Sequence, residues 1–229
     1  MSANNSPYLD PRDDVAYVFH ETLVRKTTVV VVGSVLKLFM VLHIDGLENL
    51  PQNGPCILAA NHLSNLDVFP MQLALPRPLF FMAKAELFSN YLLSWLIRQL
   101  GAFPVHRGAS DQWAIIHSHK ILDKGLVLAM FPEGSRSRGK GLSVAKTGAA
   151  RLAIEKNIPL IPVAIFGSQN LFKNIPHRVH VSVDICSPLY PDLDDDPLSL
   201  TDQAMFALAR KLPAELKGVY AESPKGFDL

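Results

Sequence analysis

Short apolar runs along the chain alternate with longer segments in which apolar residues recur at helical spacing. The runs predict strands at residues 41–44, 56–60, 79–83, 103–105, 126–131, 160–166 and 178–185. The intervening segments predict helices at residues 68–75, 87–100, 111–124, 148–156 and 200–212. This alternation predicts an α/β fold with a mostly parallel central sheet flanked by helices. Reactive side chains are then expected at the carboxyl ends of the strands.

The N-terminal segment, residues 1–45, is predicted to be a polar tail and a membrane-associating helix ahead of the domain at residues 46–229. Residues 1–14 are polar and are expected to be loosely docked. An apolar stretch of about ten residues ends at Lys37, whereas a membrane span needs about twenty. We therefore expect a helix that lies in the membrane interface. A buried core helix and a single span with Lys37 reaching the surface are the alternatives.

Composition narrows the classes of partner. With 48% hydrophobic and 19% charged residues, the chain can bury a sizeable core. Its mean hydropathy of +0.17 is slightly positive, which favours an enzyme at the surface of a membrane. Its net charge of +1 gives no global attraction to nucleic acid. Cys56 and Cys186 lie in apolar runs without metal-ligand spacing, as expected of buried thiols in a reducing compartment. The expected location is the cytoplasmic face of a membrane, bound peripherally or monotopically.

A candidate catalytic pair, His62 and Asp67, follows the predicted strand at residues 56–60. Five residues correspond to about 500° of helical rotation, so the two side chains cannot share a helix face. They meet only if His62 lies in a turn and Asp67 near the start of the next helix, where Pro70 is tolerated. Neutral imidazole can then take a proton from an alcohol while the carboxylate orients it. The alternative is that Asp67 or Ser64 only caps the helix.

Three later segments place charged residues or glycine just past an apolar strand. They are residues 101–108, 131–138 and 161–167. The first carries Arg107, the second carries Glu133 and Arg136, and the third ends in Gly167. In the second, glycine and small hydroxyl residues let a turn expose its N–H groups, and the guanidinium suits phosphate oxygens. A lone arginine after a strand is usually a solvated surface residue. Each segment alone is therefore weak evidence for a binding site, and only the order of the segments along the chain is specific.

In this order and spacing, the four segments resemble the four sequence blocks of the lysophosphatidic acid acyltransferase family (1-acylglycerol-3-phosphate O-acyltransferases). The first block, N-H-x4-D, is matched by residues 61–67, and the third, F-P-E-G-T/S-R-S, by residues 131–137. Residues 101–107 fit the second block loosely, and residues 161–167 fit the fourth. In the second block Pro104 and His106 depart from the common pattern, which leaves the identity of the acceptor open.

The resemblance implies a glycerolphosphate-acyltransferase-like fold and a specific reaction. An acyl group would pass from acyl-CoA or acyl-carrier protein to the free hydroxyl of 1-acylglycerol-3-phosphate, giving phosphatidic acid. His62 would be the general base and Asp67 its orienting partner. The implied acceptor-binding residues are Arg107, Glu133, Gly134, Ser135 and Arg136, with Lys84 and Lys146 as further phosphate contacts. No metal or bound organic cofactor is implied, because the acyl carrier is a co-substrate.

Three other functions compete with this hypothesis. The acceptor could be another lyso-lipid, such as a lyso-aminolipid or a lysophospholipid, or another hydroxyl compound. The chain could also be a non-catalytic lipid- or anion-binding protein that kept the fold. A serine hydrolase using Ser64 or Ser135 would lack the G-x-S-x-G sequence of a nucleophile elbow.

Overall fold

The structure, a computed structural model, describes residues 10–15, 17–106, 111–173 and 175–223. A seven-stranded sheet organises them. Its strands are β1 (Met40–Asp45), β2 (Cys56–Ala60), β3 (Leu79–Lys84), β4 (Ala102–Val105), β5 (Val127–Met130), β6 (Leu160–Phe166) and β7 (Val179–Ile185). Their order is β1-β7-β6-β2-β5-β3-β4, and every neighbouring pair except β6–β7 is parallel. The predicted mostly parallel α/β sheet is confirmed.

Six α-helices of the described ranges accompany the sheet. They are α1 (Leu23–Leu36), α2 (Val68–Ala74), α3 (Tyr91–Gln99), α4 (Gln112–Asp123), α5 (Gly148–Lys156) and α6 (Pro197–Lys211). The predicted helix at 87–100 begins late, because Asn90 caps α3 after a separate 3-10 turn. The predicted helix at 200–212 begins early, because Asp196 caps α6 and Pro197 occupies its first position.

The central strand β2 is buried on both faces, and its alternation divides the core in two. Cys56, Leu58 and Ala60 face a cluster that includes residues of α1, α2 and α3. Ile57 and Ala59 face a cluster built with α4, α5 and α6. A continuous apolar run is what a parallel strand covered on both faces requires.

The N-terminal region is more firmly attached than its polar sequence predicts. Arg12 forms an ion pair with Asp111 at 2.6 Å, and its guanidinium lies 4.5 Å from the ring centre of Trp113. These contacts dock residues 10–14, while residues 1–9 lie outside the described ranges. Residues 40–45, assigned from sequence to the N-terminal unit, form β1 and pair in parallel with β7.

Helix α1 lies on the surface of the domain. Its buried residues are Arg25, Gly33 and Leu36, and Gly33 packs against Leu73 of α2. Most of its apolar side chains are exposed, namely Leu23, Val24, Val30, Val31 and Val35. This pattern differs from that of a buried core helix. Across the described ranges, no helix combines the length and apolar character needed to cross a membrane.

The carboxyl ends of β2, β5 and β6 bring three predicted segments together. These strands are parallel neighbours with β2 in the middle. The loops after them, beginning at residues 61, 131 and 167, therefore leave from the same edge of the sheet. This edge holds the candidate site.

Gly167, at the end of β6, has a backbone conformation that a side chain would disturb. Its φ is +92°, and a Cβ there would overlap the carbonyl oxygen of His180. We expect Gly167→Ala to lower the free energy of unfolding by about 3 kcal/mol, from left-handed strain and overpacking. Gly54→Ala is the matched control, because Gly54 has φ +81° but open space around it. It should cost about 1 kcal/mol. Equal losses in urea denaturation would contradict the steric explanation.

Candidate active site

His62 and Asp67 meet at the carboxyl end of β2. Nδ1 of His62 lies 2.8 Å from Oδ2 of Asp67. His62 is in the turn after the strand, and Asp67 immediately precedes α2, with Pro70 in the first turn of that helix. In the neutral imidazole, Nδ1–H donates to the carboxylate and leaves Nε2 as the acceptor. No described residue forms a hydrogen bond with Nε2, so that nitrogen is available to a substrate.

The carboxylate of Asp67 is fully buried and hydrogen-bonded from several directions. It accepts the backbone N–H groups of Leu63 (2.7 Å) and Ser64 (2.9 Å). Those two bonds are to Oδ2, and Oδ1 accepts hydrogen bonds from the hydroxyls of Ser64 (3.1 Å) and Ser168 (2.5 Å). Within the described chain, Asp67 makes no side-chain capping bond to α2. These bonds turn the carboxylate toward the histidine, so Asp67 is more than a helix cap.

Asn61 fixes the point at which β2 ends. Its side-chain amide donates to the carbonyl oxygen of Ile165 (2.8 Å) and accepts the N–H of the same residue (2.7 Å). The side chain thus continues the β2–β6 ladder while the main chain turns away. His62 consequently leaves the sheet at a fixed position.

The segment after β5 holds the main chain and the ring of His62. The ring of Phe131 stacks on the imidazole, with centroids 4.1 Å apart and an interplanar angle of 20°. Glu133 accepts the backbone N–H of His62 at 2.8 Å. Ser137 donates its N–H to the carbonyl oxygen of His62 at 2.8 Å. The first and third predicted segments therefore form one hydrogen-bonded unit.

Both carboxylate oxygens of Glu133 bind protein groups. Oε1 accepts from His62, and Oε2 accepts from the N–H (3.1 Å) and hydroxyl (3.2 Å) of Ser143. Burial raises the pKa of Glu133, although these hydrogen bonds oppose the increase. Glu133 thus ties two loops to the backbone of His62. Its predicted contact with the acceptor stays a prediction.

Basic and small residues cluster beside this unit. Lys146 donates its backbone N–H to the carbonyl oxygen of Pro132 at 2.8 Å. Its Nζ lies 3.3 Å from the point where a Cβ on Gly134 would be, so the ammonium group lies over the glycine. Ser135 is exposed and Arg136 partly exposed on the same loop.

Of the other two predicted phosphate contacts, the structure describes only Lys84, which belongs to a more distant strand. Lys84 ends β3, forms a 2.9 Å ion pair with Glu86, and is half exposed. β3 is the second strand from β2, which corresponds to about 10 Å at ~4.8 Å per strand. Arg107 lies outside the described residues, and the strand that precedes it, β4, ends at Val105.

Ser168 is the contact that sequence reasoning missed. It is fully buried directly after Gly167, and its hydroxyl donates to Asp67 across a separation of 101 residues. The sequence signal is weak, because a serine after a strand and a glycine is typical of any loop. Asn61 carries a stronger signal as part of the first block.

The arrangement is suited to general-base chemistry. One imidazole nitrogen is held by a carboxylate, and the other can accept a proton from a hydroxyl group. The hydroxyl of Ser64 donates to Asp67 and not to His62, so this serine lacks the base that a nucleophile needs. Ser64, which is closer to His62 than Ser135 is in the sequence, is therefore not arranged as the nucleophile of a serine hydrolase.

Fold and site together define the class of protein. It is an α/β protein with a histidine–aspartate pair at the carboxyl edge of a mostly parallel sheet. The sequence model of the family described as Acyltransferase matches residues 41–166, more than half of the 229-residue chain, and the chain belongs to that family.

Individual relatives agree with this assignment. The chain is 31% identical over 184 residues to the 1-acyl-sn-glycerol-3-phosphate acyltransferase of Streptococcus pneumoniae, covering 79% of this chain and 67% of the relative. It is 29% identical over 176 residues to a chloroplastic protein of the same description from Brassica napus, covering 74% of this chain and 50% of that protein. The chain spans about half the length of the plant relatives that it matches.

A solved structure shows the same fold. The 1-acyl-sn-glycerophosphate (LPA) acyltransferase PlsC from Thermotoga maritima matches with a TM-score of 0.66 and 25% sequence identity. The match covers 82% of this chain and 77% of that one.

Ser168 provides a test of the buried network. We expect Ser168→Ala to lower kcat about tenfold with little change in KM, because the hydroxyl orients Asp67 and touches no substrate. Tenfold corresponds to about 1.4 kcal/mol, near the lower end for a hydrogen bond to a charged group. Ser118→Ala is the control, since Ser118 is equally buried but bonds only within α4, to Ala114. Equal kcat values for the two folded variants would contradict a positioning role.

Proposed function

We propose that this protein transfers an acyl group from a thioester to the free hydroxyl of 1-acylglycerol-3-phosphate, giving phosphatidic acid. The observation that carries the proposal is the contact between His62 and Asp67 beside a basic loop. The names of the relatives from Streptococcus pneumoniae and Brassica napus support this choice of acceptor.

The proposed reaction is a direct transfer. Nε2 of His62 accepts the proton of the acceptor hydroxyl as its oxygen attacks the thioester carbonyl. The new C–O bond forms, the C–S bond breaks, and the proton passes to the leaving thiolate. Asp67 stabilises the imidazolium that forms in between. General-base action contributes roughly 10²–10⁴-fold, with positioning supplying much of the rest.

The loop after β5 supplies the proposed phosphate site. Lys146 lies over Gly134, next to the position that a side chain would take there, and Arg136 is on the same loop. A planar guanidinium binds two phosphate oxygens at once, and the ammonium group adds charge. Ser135, Lys84 and Arg107 remain predicted contacts of this site. Glu133 supports it by fixing the loop to His62.

The proposed substrates imply work at a membrane surface. Leu23, Val30 and Val31 of α1 are 81%, 65% and 56% exposed. We place this face against lipid, so that α1 is interfacial and the acceptor reaches the site from the bilayer. Both cysteines are free and buried, which suits the cytoplasmic face. Acyl-CoA and acyl-carrier protein are both suitable donors.

The central test removes the base. We expect His62→Ala to lower turnover of acyl-CoA and lysophosphatidic acid by at least ~10²-fold, because no other described group can take the hydroxyl proton. His43→Ala is the matched control, because His43 is an exposed histidine of β1 whose ring contacts His180 on the surface of the sheet. Its turnover should remain near normal. Near-normal turnover of folded His62→Ala protein would contradict the mechanism.

A panel of acceptors tests the substrate in the same assay. We expect a strong preference for lysophosphatidic acid over lysophospholipids with a headgroup and over lyso-aminolipids, because the basic loop suits a phosphate monoester. The unusual residues Pro104 and His106 in β4 and just after it favour the alternative acceptors. A preference for one of those would overturn the proposed acceptor and keep the acyl transfer.

The membrane face has its own test. We expect Val31→Glu to weaken binding to phospholipid vesicles about tenfold, since it removes an apolar contact and adds a charge of the same sign as anionic lipid. Val219→Glu is the control, because Val219 is 58% exposed but lies beyond α6. Co-sedimentation with vesicles measures both. Equal weakening would show that α1 is not the contact surface.

A further inference from the structure

A cavity lies at the opposite edge of the sheet from His62. It has a volume of about 190 Å³ and is found at the amino ends of β3 and β4. Its lining includes the polar or charged residues Tyr17, Arg25, Arg98 and His117, together with Phe19 and Trp95. At ~30 Å³ per water molecule, the space would hold roughly six waters or a ligand group of similar size. The proposed catalysis uses none of these residues.

Arg25 is a buried cation that forms no ion pair with a described acidic residue, and the charge of Glu21 only partly offsets the effect of burial on its pKa. It is 4% exposed, donates one hydrogen bond to the carbonyl oxygen of Leu79 (2.6 Å), and lies over the ring of Phe80. The described ion pairs involve neither Arg25 nor Arg98. Burial lowers the pKa of Arg25 to about 10, which leaves it charged at pH 7. A buried charge without a counter-ion is costly, so this site favours an anion.

Arg98 and Tyr17 leave further donors unused. Nε of Arg98 donates to Ser94 at 3.0 Å, but its Nη1 is buried with no partner among the described residues. The buried hydroxyl of Tyr17 lies next to the Arg98 guanidinium, which opposes the increase that burial causes in the pKa of Tyr17, but the two groups form no well-aligned hydrogen bond. Buried polar groups normally find a hydrogen-bond partner. The N–H of Arg98 without a well-aligned acceptor, together with the buried Arg25 on the same cavity wall, therefore indicates a missing acceptor.

The start of α1 increases the positive potential. Thr22, which caps this 14-residue helix, lines the cavity together with Arg25 of the first turn. The helix dipole places partial positive charge at this end, where a cation is unfavourable and an anion is stabilised. His117 adds no charge, because burial lowers its pKa to about 4. The guanidinium groups and the N-terminus of α1 would thus all be stabilised by one anion in the cavity.

We propose that this cavity binds the phosphate of an anionic phospholipid headgroup. Val18 and Trp95 line it and are 47% and 45% exposed, and Leu23 beside it is 81% exposed. Tryptophan and apolar side chains around a cationic pocket suit the boundary between headgroups and acyl chains. The choice of a lipid over a soluble phosphate rests on the proposed membrane contact of α1. The anion site itself rests on the cavity alone.

The binding of phosphate-containing probes to the protein is measured without an acyl donor, so no acyl transfer takes place during the experiment. The full chain is titrated with dihexanoylphosphatidic acid, glycerol 3-phosphate and inorganic phosphate, and the fluorescence of the chain's two tryptophans is followed, because Trp95 lines the cavity. We expect the lipid to bind most tightly. Arg98→Gln should weaken its binding at least tenfold, since it removes charge-assisted hydrogen bonds. Lys26→Gln is the control, because Lys26 carries the same charge on α1 but pairs with Glu21 on the surface.

The outcomes separate the two sites and the two sources of phosphate. Loss in Arg98→Gln with less than twofold change in Lys26→Gln supports the proposal. Loss in Arg136→Gln but not in Arg98→Gln would overturn it and assign the binding to the catalytic edge. Equal affinity for all three probes would overturn the lipid assignment in favour of soluble phosphate. The cavity lies at the opposite edge of the sheet from His62 and binding is measured without an acyl donor, so failure of the proposed catalysis would leave this result unaffected.

Discussion

The buried carboxylate of Asp67 is the constraint around which the candidate site is built. A charge with no solvent contact is stable only when several hydrogen bonds replace its water. Here the donors come from the turn after β2, from the histidine ring and from the loop after β6. Satisfying this one group therefore fixes the separation of two loops and the orientation of the imidazole. The geometry of the candidate catalytic pair follows from the need to solvate an ion inside the protein.

A second buried carboxylate acts on the same residue from the other side. Glu133, after β5, binds the backbone N–H of His62, while Asp67 binds its ring. β5 and β6 flank β2 in parallel, so each can send a loop to the same residue. Phe131 covers one face of the ring and leaves rotation little room. The parallel sheet thus holds the loops in place, and the carboxylates at its edge orient the backbone and the ring of His62.

Sequence patterns within a few residues predicted most of the strands and helices, but contacts between distant parts of the chain could not be predicted. Residues 56–60, 148–156 and 160–166 form elements with the predicted bounds, because apolar runs and helical periodicity are local properties. Helical spacing excluded a shared helix face for His62 and Asp67, so their meeting was predicted only for a turn followed by the start of a helix, which is what the structure has. The bond from Ser168 was not predicted, because it joins positions far apart in the chain. The docking of Arg12 on Asp111 was not predicted for the same reason. The start of α3 was predicted too early because its cap, Asn90, lies inside a segment with helical apolar periodicity.

The two edges of the sheet treat buried charge in opposite ways. At the carboxyl edge, Asp67 and Glu133 find all their partners within the protein, so that edge is formed without a ligand. At the amino edge, the buried Arg25 and the partly buried Arg98 lie against aromatic rings, and Nη1 of Arg98 has no hydrogen-bond partner among the described residues. Rings attract cations through their faces but accept few hydrogen bonds. An unmet donor lowers stability until a ligand supplies the acceptor. The first arrangement suits the positioning of a catalytic group, and the second suits the anion binding that we propose.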